Sequence, residues 1–192
     1  MELDYDLWGL NEEKRKVAGI GYNSKFDIVY DTDSYKLWYR ILHLCKSNPE
    51  KNVICDEWKD YETFEQWYQD NFYTVESEKM DLIKNIYDRE NIIFSPECCI
   101  FVPHKLTCIL CLSEKDKPVG ITFHEPTNAY RVTCCMTVDG KKINKRKFGF
   151  TTYEEAFRWY KSIKEPYIRK CVETYKAKIP FSLYKLLSEW EV

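Results

Sequence analysis

The chain has 192 residues, 44% apolar and 16% aromatic, with a formal net charge of -2. That is enough for one large domain or two small ones with a real core, and it excludes a disordered tail. A near-neutral balance also argues against a protein that coats nucleic acid over its entire surface. No stretch approaches the length of a membrane span, and the acidic start Met1-Glu2-Leu3-Asp4 is the wrong chemistry for a signal peptide, so the expected compartment is the cytoplasm.

The charge is divided unevenly. Residues 1–110 carry 13 Lys+Arg and 21 Asp+Glu, whereas residues 111–192 carry 16 and 10. An acidic first part repels a phosphate backbone, so any contact with nucleic acid is expected in the C-terminal part.

In chain order, Gly19-Ile20-Gly21 invites a phosphate-loop reading, but the third glycine is missing and no apolar strand precedes it. Apolar residues at helical spacing predict a buried helix over Ser34 to Leu44, with Ser34 as its cap and Asn48-Pro49 ending it. His43 falls in this apolar context and reads as a core histidine. Asn52 to Cys55 reads as a short strand, and Phe64, Trp67, Tyr68 and Phe72 mark a second helix over Tyr61 to Phe72.

Nine cysteines form an odd set without a secreted context, and read as reduced thiols. Cys98, Cys99, Cys108 and Cys111, with His104 between them, lie close enough in sequence to raise zinc. The residues between them are apolar and no second paired-cysteine knuckle follows, so the reading is small core cysteines, with no metal and no cofactor.

Lys115-Asp116-Lys117-Pro118 reads as a linker. Beyond it, Tyr130, Val132, Cys134 and Met136 alternate with Arg131, Thr133, Cys135 and Thr137, the period of a half-buried strand. Asp139-Gly140 closes a hairpin, and the returning strand carries Lys141, Lys142, Lys145, Arg146 and Lys147. Thr151 or Thr152 then caps a helix with Glu154 and Glu155 in its first turn and an apolar stripe of Tyr153, Ala156, Phe157, Tyr160 and Ile163. Pro166 should kink or interrupt it. After Ile179-Pro180 a short final helix through Leu183, Leu186 and Leu187 should dock on an earlier one, and is also a candidate dimer contact.

Val119-Gly120-Ile121, Tyr130-Arg131-Val132 and the run Phe148-Gly149-Phe150-Thr151-Thr152-Tyr153-Glu154-Glu155-Ala156-Phe157 resemble the Apetala/ethylene-response-factor type of DNA-binding domain. The resemblance implies a three-stranded sheet laid in the major groove, with Arg131, Lys141, Lys142, Lys145, Arg146 and Lys147 as the contacts. Plant members show tryptophans on these strands, and this chain has none there.

Tyr35-x-x-Trp38, Ile54-Cys55-Asp56-Glu57-Trp58, Thr63-Phe64-Glu65-Gln66-Trp67-Tyr68, Asn91, Phe94-Ser95-Pro96-Glu97 and Cys99-Ile100-Phe101-Val102-Pro103 follow in the order of a second family. That order resembles HNH-type endonucleases, common in phages of Gram-positive bacteria, that carry the plant-like module at the C-terminus. An HNH site needs a histidine base and further His, Asp or Asn groups around one divalent metal. Where relatives read Leu-Asp-Lys-Asp this chain has Leu82, Ile83, Lys84 and Asn85, and Leu106-Thr107 replaces an Ile-Asn pair. The motif is degenerate. His104 is the remaining catalytic candidate, and only if a carboxylate such as Asp81, Asp88 or Glu97 folds beside it.

The expected architecture is α+β: a helical, HNH-like region over 17–112, a linker at 113–118, and a three-stranded antiparallel sheet packed on a long helix over 119–192. The expected function is a phage or mobile-element protein that binds DNA or a host ribonucleoprotein or defence complex without chemistry. The alternatives are an inhibitor of a CRISPR-type defence acting by protein contact, and a metal-dependent nicking endonuclease with an atypical site. No membrane partner is expected.

Overall fold

The computed structural model describes residues 15–23, 31–110, 120–138 and 140–192. In chain order the elements are β1 (Arg15–Val17), β2 (Gly21–Asn23), α1 (Asp33–Ser47), β3 (Val53–Ile54), α2 (Tyr61–Asn71), β4 (Met80–Ile83), β5 (Ile93–Phe94), β6 (Ile100–Pro103), α3 (His104–Ile109), β7 (Ile121–His124), β8 (Ala129–Val138), β9 (Lys141–Phe150), α4 (Tyr153–Glu173) and α5 (Phe181–Ser188). The fold is α+β, as the alternation of patterns implies. It divides into two compact units. One takes the chain to Phe72 and again over Lys84–Ile100, and the other takes Tyr73–Ile83 and Phe101–Val192. The linker expected at 113–118 lies outside the described residues. No described helix is long and apolar enough to cross a membrane.

The first unit is an aromatic core between α1 and α2. Trp38, Ile41 and Leu42 on α1 are buried with Trp58, Tyr61 and Phe64, and the Trp38 indole N–H donates to the Trp58 carbonyl at 2.7 Å. Gly21 explains the Gly-Ile-Gly run: a Cβ there would stand 2.6 Å from Leu42 Cδ1 and 2.7 Å from Trp38 Cζ2, so this glycine permits close packing. The cap of α1 is Thr32, whose Oγ1 accepts from the Tyr35 N–H at 3.3 Å. Ser34, the expected cap, is instead buried inside the first turn and shares a 2.9 Å hydrogen bond with the Tyr61 hydroxyl. His43 is not in the core. It is exposed, with its ring 4.3 Å from that of Tyr39, because it falls on the solvent side of α1, between Leu42 and Cys45 on the buried side.

In the second unit β4 and β6 form a two-stranded sheet and Pro103 leads into α3, while β7, β8 and β9 form an antiparallel sheet in that order. Helix α4 packs on one face of that sheet. Val132, Cys134 and Met136 of β8 are buried there with Phe150, Ala156 and Tyr160. The start of α4 is capped twice: Thr152 Oγ1 accepts from the Glu155 N–H at 3.2 Å, and Glu155 Oε2 accepts from the Thr151 N–H at 3.2 Å. Helix α4 runs through Pro166 without the expected interruption. Proline removes one intrahelical hydrogen bond, whereas Tyr160, Ile168 and Val172 are buried on both sides of it and hold the helix together. On α5, Leu183 and Leu187 are fully buried within the chain, and the Trp190 indole donates to the Leu110 carbonyl at 3.1 Å. Leu183, Leu187 and Trp190 are therefore used within the chain, and Leu186 is half-buried.

Candidate nucleic-acid interface

Residues directly opposite one another on antiparallel strands share a face. Since Val132, Cys134 and Met136 face α4, their partners Lys147, Lys145 and Ile143 lie on the same side, and Val138 places Lys141 there too. The opposite parity sets Arg131 against Phe148, Thr133 against Arg146, Cys135 against Asn144 and Thr137 against Lys142 on the face that α4 leaves open. The six expected contacts are thereby split. Arg131, Lys142 and Arg146 lie on the open face, and Lys141, Lys145 and Lys147 on the helix side of an edge strand whose residues are exposed from Lys141 to Gly149. Lys147 confirms its side, with Nζ 5.3 Å from the centroid of the Phe150 ring. Asp139 lies outside the described residues, but the pairing of Val138 with Lys141 gives the hairpin it was expected to close.

A bulge finishes the arrangement. Gly149 has φ +82°, and the β8–β9 register shifts between Tyr130 and Arg131. The extra residue reverses the parity, so Phe150 enters the core while Phe148, two residues earlier, stays 64% exposed on the open face. Beside it, Arg131 Nε donates to Thr122 Oγ1 of β7 at 3.0 Å. Thr122, Arg131 and Phe148 thus form one row across all three strands. Such a row can attract phosphate through the guanidinium and offer a ring to a base. Phe148 and Thr122 were absent from the sequence-derived contacts, and the signal that could have found them is the same period-2 alternation carried from β8 into its neighbours.

The other candidates are carried by other elements. His104 opens α3, and its Nδ1 is 2.6 Å from Asp81 Oδ2 on β4, so of the three carboxylates considered it is Asp81 that meets it. Asp81 also holds Lys79 Nζ at 3.2 Å. Burial alone would raise its carboxyl pKa, but the hydrogen bonds and charges of His104 and Lys79 outweigh burial and hold it below the ordinary value. Asp88 accepts from the Glu90 N–H at 3.0 Å, and Glu97 is hydrogen-bonded to Ser95.

On the second ring nitrogen of His104, Nε2, stands Cys108 Sγ at 3.5 Å. The two neighbours occupy opposite edges of the imidazole, so they do not converge on one point where a cation could sit. Among the described residues no group of three or more His, Cys, Asp and Glu side chains is placed to hold a metal ion. Cys99 is buried, which pushes its thiol up to about 12 and disfavours the thiolate that zinc requires. Cys98 is half-buried, and Cys111 lies outside the described residues. No family model matches the chain, and no curated protein and no solved structure is found to be similar to it.

Proposed function

We propose that this protein binds nucleic acid through the open face of the β7–β8–β9 sheet, as a non-catalytic phage or mobile-element protein derived from an HNH nuclease scaffold. The observation that carries the reading is the open face itself. Arg131, Lys142 and Arg146 lie on it with an exposed Phe148, and α4 occupies only the other side. Three cations spaced along two strands suit a phosphate backbone, and an antiparallel ribbon has the dimensions to enter a major groove. Binding without cleavage is supported by the surroundings of His104, where a carboxylate and a thiol on opposite edges of the ring differ from the ligand set that metal-assisted hydrolysis needs.

A gel-shift and cleavage assay on one labelled duplex, with and without magnesium or manganese and at two salt concentrations, tests this. Salt-sensitive shifting without cleavage is expected, and it should be lost when Arg131, Lys142 and Arg146 are neutralised. Metal-dependent cutting would restore the nuclease reading. No shift at low salt would remove direct binding and favour a host nucleic-acid-targeting complex, sought with the full chain as bait, whose residues 1–110 are acidic.

A further inference from the structure

Cys108 follows His104 by one turn of α3, and the two side chains meet through Sγ and Nε2 at 3.5 Å. The histidine is held from behind. Its Nδ1 is 2.6 Å from Asp81 Oδ2, its backbone N–H donates to the Lys79 carbonyl at 2.9 Å, and Lys79 Nζ anchors the second carboxylate oxygen of Asp81. An ionised Asp81 fixes the imidazole proton on Nδ1 and leaves the Nε2 lone pair facing the thiol. The next side chain on α3, Lys105, is paired with Glu78, which also accepts from the Tyr175 hydroxyl at 2.8 and 3.0 Å. These neighbouring charges are engaged with one another, and among the described residues the charged groups bonded to His104, directly or through its carboxylate partner, are Asp81 and Lys79. Cys108 is also exposed, so a reagent can reach it.

We propose that Cys108 is a nucleophilic thiol, with His104 as its base and Asp81 as the group that positions the base, and that it exchanges with small disulfides. The Cys108 proton passes to His104 Nε2 and the thiolate attacks one sulfur of the disulfide. The bond from Sγ to that sulfur forms as the disulfide bond breaks, and the departing thiolate recovers the proton from Nε2. Cys108 ends oxidised in a mixed disulfide, and half of the small disulfide is reduced to a free thiol. This site is separate from the sheet face and does not depend on nucleic-acid binding.

The molecule contains its own reference, Cys135, which is exposed on the open sheet face opposite Asn144. The full chain, reduced and then freed of reductant, is incubated with oxidised glutathione at pH 7, and each mixed disulfide is followed by peptide mass mapping. Cys108 is expected to react about tenfold faster than Cys135, because the His104 imidazole stands ready to take its proton as the sulfur attacks. In His104→Gln that advantage should disappear while the Cys135 rate holds, and in Asp81→Asn it should shrink and shift to higher pH. Equal rates at Cys108 and Cys135 in the unaltered protein would overturn the proposal, whether or not the variants fold. So would an undiminished Cys108 rate in a folded His104→Gln.

Discussion

Phe148 stands directly opposite Arg131 across β8 and β9, and both side chains are exposed on the sheet face that α4 leaves open. An aromatic ring set there at a cost in solvent exposure suits stacking on an unpaired base. Phe148→Ala should change stability by less than about 0.5 kcal/mol, as at other surface sites. It should weaken binding to a single-stranded oligonucleotide by about 1–3 kcal/mol. Fluorescence anisotropy with a labelled strand reads this, and an unchanged affinity would leave Phe148 without a part in binding.

The split of the cations makes a sharper test than their number. Replacing Arg131, Lys142 and Arg146 by alanine should lower the salt dependence of duplex binding by roughly 3 in log–log slope, about 0.9 for each phosphate no longer neutralised. Replacing Lys141, Lys145 and Lys147 should lower it far less. Equal effects from the two sets would mean that the strand edge, and not one face, meets the backbone.

Gly149 sets which aromatic residue is buried. With φ at +82°, Gly149→Ala should cost about 1–2 kcal/mol of stability. Phe150→Ala, which empties the core position that the bulge creates, should cost about 3 kcal/mol or more. Urea denaturation measures both, and a neutral Gly149→Ala would show that the sheet closes without the bulge.

Pro166 is exposed inside α4 and withholds one N–H from the helix. Pro166→Ala should therefore stabilise the protein, by about 1–3 kcal/mol on the scale of helix-interior prolines. A thermal melt followed by circular dichroism should show a higher Tm. A lower one would mean that α4 is bent at this point to fit its neighbours.

Much of this was legible locally. The stripe and threonine cap of α4 lie within a few turns of each other, and the alternation of β8 appears directly because one face is buried. Strand β9 could not be read in the same way: with both sides exposed from Lys141 to Gly149, no hydrophobic pattern distinguishes its faces, and its parity comes only from pairing with β8. Thr32 displaces Ser34 as a cap because Ser34 turns inward to Tyr61, 27 residues away. The meeting of His104 with Asp81 spans 23 residues and two elements, and no spacing rule links them.

The depressed carboxyl of Asp81 predicts a pH dependence with a definite sign. A folded-state pKa below the unfolded value, about 3.9, adds stability above that value, which is lost as pH falls through the folded pKa. Asp81→Asn should flatten this part of the acid limb below about pH 4 in urea unfolding measured from pH 6 downwards. If wild type and variant lose stability in parallel, the hydrogen bond to His104 carries no linkage.

The division of the chain also has a consequence for synthesis. The unit that holds Trp38 and Trp58 has all its residues once position 100 has left the ribosome, so its core can form while the rest is still being translated. Tyr73–Ile83 emerges before that point but belongs with Phe101–Val192, and it must wait, unpartnered, for strands made later. A late tie is the Trp190 indole reaching Leu110, a loop of 80 residues that can close only after both have been made. A ribosome stalled between those points would present a finished first unit and an orphaned strand from the second, and that interval is when the nascent chain is most exposed to mispairing and to holdase chaperones.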